Sequence, residues 1–442
     1  MTNSIAQKFN VFSLLRFAFP TMVMMMFMSL YTIVDGIFVS RLVGSNALSS
    51  LNIAYPVINV VLACGIMLAT GGSAIVARQV GEKKEEEARQ NFSFLASVSI
   101  ITGIIIGIMG ILFLEFICKM LGATPVLLAD CKIYMGISLL FAPITMMQVF
   151  FQTFFVTAGK PALGLTLTIL SGLLNVILDY VFMEPFQMGI AGAALATGLG
   201  QMVMALPGII YFFAVKKSLY FTKPVFRFPV LLKSCGNGSS EMVSNLSNAV
   251  VTFLFNMTML RLIGEDGVAA ITIVLYGQFL FVSLYLGFSM GVAPVFSYNY
   301  GSENYAQLKR IYKICIGFIA VSSVVIVILA LVFSSKIVGV FTGSDTNTYR
   351  LAVRGFLLFS FNFLFAGTNI FASSMFTAFS DGKISAIISF CRTCVFIVIS
   401  VLALPFLLGI DGVWLAVPLA EIATLFISVR FFVKKREVYH YV

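Results

Sequence analysis

Long apolar runs, broken at short polar or glycine-rich points, follow one another along the whole chain. Each run is long enough to cross a bilayer core, which needs about 20 residues in helical form. The breaks predict twelve helices near 14–40, 51–77, 92–116, 131–157, 162–184, 190–214, 240–262, 268–298, 311–334, 350–377, 384–408 and 412–433. The pattern repeats at a spacing of 220 residues. Gly44, Gly71 and Gly81 recur as Gly264, Gly291 and Gly301, and Gly189, Gly192 and Leu195-Ala196 recur as Gly409, Gly412 and Leu415-Ala416. Six helices separate equivalents, an even number, so the halves are parallel repeats about an axis along the membrane normal. The expected fold is all-α and polytopic. Residues 1–215 form an N-terminal six-helix lobe, 216–239 a linker, and 240–442 a C-terminal six-helix lobe.

Composition agrees. Only 10% of the 442 residues are charged, against about 25% in soluble domains. The net charge of +10 reads as loop charge that orients the chain rather than as a nucleic-acid surface. Basic residues collect at Lys8 and Arg16, in the even-numbered loops, and at Lys434, Lys435 and Arg436. The sixth loop alone holds Lys216, Lys217, Lys223, Arg227 and Lys233. Both termini and the even loops are therefore expected on the cytoplasmic side of a bacterial cell membrane. The N-terminus reads as a short leader into the first helix. Basic and apolar residues interleave in the sixth loop, so it is either a membrane-surface segment or a solvated tether.

Few catalytic chemistries are open to this chain. The single histidine is His440, and HExxH, GxSxG and paired intramembrane carboxylates of a GxGD type are absent. No enzyme activity and no cofactor are expected. Cys391 and Cys394 form a CxxC inside a predicted span with no second pair nearby, so buried cysteines are the plain reading.

Polar groups at depth carry the functional signal, because ionisable residues in spans mark ion and substrate pathways. Asp35 and Asp179 each lie about five residues from the outer end of a predicted helix, roughly 7–8 Å deep at 1.5 Å per residue. Asn175 precedes Asp179 by one turn on the same face, and Thr197 lies at similar depth on the sixth helix. Two carboxylates in low dielectric resist joint ionisation, and either a proton or Na⁺ relieves them. The alternative is a polar cluster that only pins helices together. At spacing 220, Asn175 and Asp179 fall on Val395 and Ile399, so the C-terminal half does not repeat this set. That half carries Arg354, Arg392 and Glu421 instead, with Arg392–Glu421 readable as an internal ion pair and Arg354 as a snorkelling side chain. Glu241 reads as a charge at the start of the seventh helix.

A duplicated bundle with such a cluster suggests a transporter whose halves rock about a central site. A channel would call for charge rings or a filter loop. A substrate cavity between the halves is expected to draw on Met24, Met28, Tyr31, Gln148, Gln152, Gln201, Asn256 and Gln278. The Met-dense run 22–31 suits either varied ligands or an ordinary lipid-facing surface. Pro20 marks a hinge in the first helix.

The sequence resembles the multidrug and toxic compound extrusion (MATE) family along essentially its whole length. The resemblance rests on VDGIFVSRLVG with NAL and YP (34–56), GGSAIVARQVGEKK (71–84), TAGKP (157–161), LLNVILDY (173–180) and GIAGAALATGLGQ (189–201). It extends to GFSMGVAPVFSYNYG (287–301), TAFSDGK (377–383) and GIDGVWLAVPLAE (409–421). It implies a V-shaped pair of bundles that exports small organic, cationic or amphipathic molecules against H⁺ or Na⁺, as a monomer. Asp35, Asn175, Asp179 and Thr197 match the family's N-lobe cation site, and Pro20 a first-helix proline of some relatives. The chain departs from the pattern at Gly238, where a proline is usual, and at Ser380, where a glycine is usual. It also lacks the C-lobe acid in the middle of the seventh helix. The rival reading within the wider superfamily is a flippase for lipid or lipid-linked oligosaccharide.

Overall fold

The computed structural model describes residues 4–38, 43, 45–344 and 346–442. The apolar runs become helices: α1 (Val11–Phe38), α2 (Ser45–Gly81), α3 (Glu85–Leu112), α4 (Leu114–Met120), α5 (Leu128–Leu140), α6 (Ala142–Thr157), α7 (Pro161–Met183) and α8 (Gly189–Ala214). The second half continues with α9 (Phe228–Leu262), α10 (Glu265–Gly301), α11 (Tyr305–Phe341), α12 (Asn347–Phe359), α13 (Phe363–Ala378), α14 (Gly382–Phe390), α15 (Phe396–Leu408) and α16 (Ile410–Tyr439). Among the described residues, eleven helical stretches are long and apolar enough to cross a membrane singly, and α5 with α6, bent by 53°, makes a twelfth. The bend falls at Phe141 because Pro143 follows, and proline lacks the N–H that a continuous helix needs there. In the second half, a 3₁₀ turn over Ser360–Asn362 interrupts the tenth span at the equivalent place.

Each lobe surrounds one central helix. In α6, residues 145–157 are buried throughout, and α13 is buried along most of its length. Around α6 packs a phenylalanine cluster of Phe92, Phe150, Phe151, Phe154, Phe155 and Phe212, with Phe150 and Phe154 stacked at 4.2 Å. Outward faces of α3 and α11, such as Ile104, Ile108, Val324 and Ile328, stay exposed, as lipid-facing helix surfaces must.

The seventh span starts at Phe228, twelve residues before the sequence breaks suggest. Residues 228–239 are therefore three turns of α9, and the extended linker ends at Arg227. That side chain pins the linker to the first lobe, donating to Glu87 Oε1 at 2.7 Å and to Gln90 Oε1 at 2.9 Å. The shift also moves Glu241 from a helix start to the helix interior. A basic and apolar residue mix had disguised these turns as loop.

Both termini lie at one end of the bundle. Ser4 Oγ donates to the Gly159 carbonyl at 2.6 Å, Gln307 Nε2 to the Phe9 carbonyl at 3.0 Å, and the Tyr439 hydroxyl to Asp381 Oδ2 at 2.6 Å. At this end the lobes meet through glycines. A side chain on Gly81 would run into the carbonyl of Tyr298, and one on Gly301 into the carbonyl of Arg78. The two contacts are related by the 220-residue repeat. A second related pair sets Gly71 on Ser234 and Gly238, and Gly291 on Ala18 and Thr21. Small residues let helix backbones approach in this way, where apolar area alone gives no drive between helices in lipid. The Arg78 guanidinium lies 5.1 Å over the Tyr300 ring across the same seal. Toward the other end the lobes part. Tyr55 of α2 and Tyr276 of α10 lie within electrostatic reach of each other yet remain 44% and 42% exposed.

The repeat extends to backbone detail. Gly189, the first residue of α8, and Gly409, which precedes α16, hold φ of 56° and 57°. Glycine occupies this left-handed region without steric penalty. α1 runs unbroken through Pro20.

Candidate functional site

Close packing of α7 against α8 builds one wall of the N-lobe site. A Cβ on Gly200 would stand 3.0 Å from Asn175 Cβ, and Ser171 Oγ donates to the Gly200 carbonyl at 2.6 Å. Small residues in GIAGAALATGLGQ thus bring Thr197 to the level of Asn175. With its amide oriented to satisfy both ends, Asn175 Nδ2 donates to Asp179 Oδ2 at 3.2 Å, and its Oδ1 accepts from the Thr197 N–H at 3.2 Å. The Thr197 hydroxyl lies 3.4 Å from the same amide.

α1 supplies the opposite wall. It packs against α7 where Gly172 makes room for the Phe27 ring. Eight residues on from Phe27, Asp35 brings its carboxyl within hydrogen-bonding reach of Asp179. Asp179 is fully buried, and Oδ1 of each carboxyl is buried without a donor among the described residues. Two ionised carboxylates offer each other only acceptors. Two like charges about 4 Å apart repel by about 4 kcal/mol at an effective dielectric of 20. A shared proton turns the contact into a hydrogen bond, and a hard monovalent cation neutralises it through oxygen ligands. The spare Oδ1 atoms, with the Asn175 and Thr197 oxygens, suit either.

The structure therefore brings together Asp35, Asn175, Asp179 and Thr197. It adds two tyrosines that the sequence did not single out, Tyr134 and Tyr55. Tyr134 of α5 is buried within electrostatic reach of both carboxyls, and Tyr55 of α2 of Asp35. Tyr31, one turn before Asp35, faces the same pair. A tyrosine in an apolar helix carries no sequence signal of its own, so only the Tyr31–Asp35 spacing was available.

A cleft inside the N-lobe opens beside this cluster. Its lining includes Phe27, Met28, Tyr31, Gln148, Ser171, Asn175, Thr197 and Gln201, and it continues past Thr197 and Gln201 to Tyr134 and Thr145. Gln201 Oε1 accepts from the Thr145 hydroxyl at 2.5 Å. Of the eight expected cavity residues, Met28, Tyr31, Gln148 and Gln201 line this cleft. Gln152 lies just behind it, donating to Thr168 Oγ1 at 3.4 Å and lying 3.4 Å from Met28 Sδ. Met24 is buried in packing. Asn256 and Gln278 lie half-buried on α9 and α10 of the other lobe, away from this cleft.

The C-lobe is built differently at the matching place. At spacing 220, Gly172 and Gln201 of the cleft correspond to Arg392 and Glu421. Arg392 Nε donates to Glu421 Oε1 at 2.8 Å, and Asn369 Nδ2 donates to Glu421 Oε2 at 2.7 Å. Arg392 stands on a π-helical turn, Cys391–Val395, a widening of the helix that often accompanies functional positions. An ion pair thus fills the counterpart of the N-lobe cleft. Arg354 is exposed and pairs with Asp411 at 2.6 Å, which replaces the expected snorkelling by an ion pair.

The family model MatE matches residues 20–181 and 242–402, one segment in each lobe. The multidrug export protein MepA of Staphylococcus saprophyticus is 26% identical over 386 residues, covering 82% of each chain. MepA of Staphylococcus aureus is 26% identical over 438 residues, covering 92% of this chain and 90% of its own. Among solved structures, a MATE in complex with MaL6 superposes with a TM-score of 0.91 at 21% identity over all of both chains. An outward-facing multidrug resistance MATE family transporter of the MOP superfamily gives 0.90 at 23%, over 97% of this chain and 96% of its own. At these identities the structural likeness speaks for the fold.

Proposed function

This chain belongs to the MATE family, and from that premise we propose that it is a secondary exporter of small organic molecules. Export is driven by H⁺ or Na⁺ entering at the Asp35–Asp179 pair. The similarity to MepA, named for multidrug export, supports this substrate class. The observation that carries the coupling is the pair of facing carboxyls, each with a spare buried oxygen.

The geometry gives the cycle a physical course. Basic loops and both termini put the sealed end in the cytoplasm, so the cleft opens outward. From that side a proton or Na⁺ reaches Asp35 and Asp179 and removes their mutual repulsion. Neutralisation lets α1 settle against α7. The same movement alters the cleft walls at Phe27, Met28 and Tyr31, all on α1, and favours release of substrate outward. Return requires the Gly81–Tyr298 and Gly301–Arg78 contacts to part, so the lobes rock to open the cytoplasmic side. Pro20, between the seal and Asp35, is where α1 lacks a backbone hydrogen bond and bends most readily.

The lipid flippase reading needs unpaired cationic groups at depth for a pyrophosphate. Arg392 is committed through Nε to Glu421 and Arg354 to Asp411, which favours the exporter. The test is ethidium accumulation in a host stripped of its own exporters. The chain is expected to lower accumulation, with the effect lost when the proton and Na⁺ gradients are both collapsed. Unchanged accumulation of ethidium and of a panel of drugs, with flipping of a labelled lipid, would overturn the reading.

A further inference from the structure

Two polar contacts between the lobes at the sealed end are related by the internal repeat. Gln307, the third residue of α11, donates from Nε2 to the carbonyl of Phe9, just ahead of α1. Glu87, the third residue of α3, accepts from Arg227, just ahead of α9. Glu87 and Gln307 are equivalent at the 220-residue spacing, and Phe9 and Arg227 lie two residues from equivalence. The first helix of each lobe is thus led in by a segment tied to the third helix of the other lobe.

The two segments are held by different chemistry. In the first, Ile5 and Phe9 are fully buried in one apolar cluster with Val292 and Val295 of α10 and Leu308 of α11. Ser4 Oγ reaches back to the Gly159 carbonyl, just past α6, so this short segment spans both lobes. Its exit into α1 is fixed, because the Asn10 N–H donates to Ser13 Oγ and the Ser13 N–H to Asn10 Oδ1, both at 2.8 Å. In the second, the linker lies along α3. Arg89 Nε donates to the Ser218 carbonyl at 3.2 Å, the Thr222 N–H donates to Ser93 Oγ at 2.9 Å, and the Phe221 ring stacks on Phe92 at 4.9 Å. Arg227 closes this run with its ion pair to Glu87, both side chains partly exposed.

We propose that the two segments form a paired clasp that holds the sealed end shut and must undock before that end opens. A lobe that swings away there draws one segment off its partner, and the repeat makes the same demand on the other. The holds are unequal. A buried carbonyl left without its donor is costly, whereas a partly exposed ion pair is weak and screened by salt. The segment before α1 is therefore the stronger half, and the Arg227 half lets go first. The clasp rests on the rocking lobes of the exporter reading above, but its test does not require transport.

The experiment follows Cys235 in the purified full chain in nanodiscs. Cys235 packs on the cluster that holds Val61 and Leu68 of α2, so parting of the lobes uncovers it. Its reaction with a water-soluble maleimide is read by peptide mass spectrometry, which resolves the other cysteines in the same sample. Gln307→Leu keeps the side-chain bulk and removes the donor, and should speed labelling of Cys235 about 5-fold or more. Arg227→Glu sets like charges together and should speed it about 3-fold. The charge swap Arg227→Glu/Glu87→Arg should restore most of the parent rate, which a merely structural role for either residue would not do. The buried Cys118 and Cys131 should keep their parent rates in every variant, which shows that the fold is intact. Labelling of Cys235 at the parent rate in both Gln307→Leu and Arg227→Glu, a charge swap no slower than Arg227→Glu, or equal gains at Cys118 and Cys131 would overturn the clasp. Ethidium efflux by the parent separately tests the exporter reading.

Discussion

Asp35 and Asp179 come from helices far apart in the chain, yet their carboxyls lie within hydrogen-bonding reach of each other. Each retains a buried oxygen with no donor among the described residues. Such an arrangement is stable only with a proton or cation in place, so the pair stores a response to either. Its neighbours then become testable by what they leave behind when removed.

Replacing Asn175 by leucine removes the amide donor from Asp179 Oδ2 in a buried site. Each buried unsatisfied group costs about 1–3 kcal/mol. Asn175→Leu should lower thermal stability in detergent by an amount in that range and weaken coupled efflux. An unchanged melting temperature would show that the amide bonds carry no weight.

Gly81→Val and Gly301→Val each drive a side chain into a backbone carbonyl of the opposite lobe. Neither carbonyl can rotate away inside a helix, so the seal must spread. Cys235, half-buried on α9 beside the interface, should then react faster with a membrane-impermeant maleimide from the cytoplasmic side. Because the two contacts are repeat-related, the single variants should behave alike. Labelling at the parent rate in both would mean the seal closes by other contacts.

Ser380 holds φ at 62°, and its hydroxyl is buried without a partner among the described residues. A left-handed conformation costs a non-glycine residue roughly 1–2 kcal/mol. Ser380→Gly relieves both penalties, partly offset by greater freedom of the unfolded chain. The variant should melt at a higher temperature than the parent, read by scanning fluorimetry.

Glu421→Leu leaves the Arg392 charge nearly buried and unpaired, a loss of about 3–5 kcal/mol for such pairs. Arg392→Met/Glu421→Leu together should recover most of it. Thermal melts of the two variants check the order. A double variant as unstable as the single one would locate the damage in Asn369, whose amide also bonds Glu421.

Much of this was legible in the chain. Hydrophobic run length gave the spans, and the 220-residue spacing gave the lobes. The glycines that recur at this spacing, Gly71 with Gly291 and Gly81 with Gly301, lie at the close contacts between the lobes, which the spacing alone did not reveal. Asn175, Asp179 and Thr197 were legible because four-residue spacing and helix depth fix where polar groups meet. The start of α9 was not, since GNGSSEM mimics a loop and only packing against α2 and α13 keeps it helical. Nor was Tyr134, whose helix is bent away by Pro143 and reaches Asp179 through tertiary packing. The Arg392–Glu421 pair was visible as two opposite charges. The π-helical turn that carries Arg392 depends on backbone geometry that residue spacing does not encode.

The central claim is that the Asp35–Asp179 pair converts an ion gradient into export. Its most direct test is uptake of a fluorescent substrate into proteoliposomes, driven by a pH gradient or a Na⁺ gradient imposed singly. The parent should respond to at least one gradient. Asp35→Asn and Asp179→Asn should each abolish gradient-driven uptake while leaving substrate counterflow, which needs no net coupling. Gradient-driven uptake at the parent rate in both variants would contradict the account.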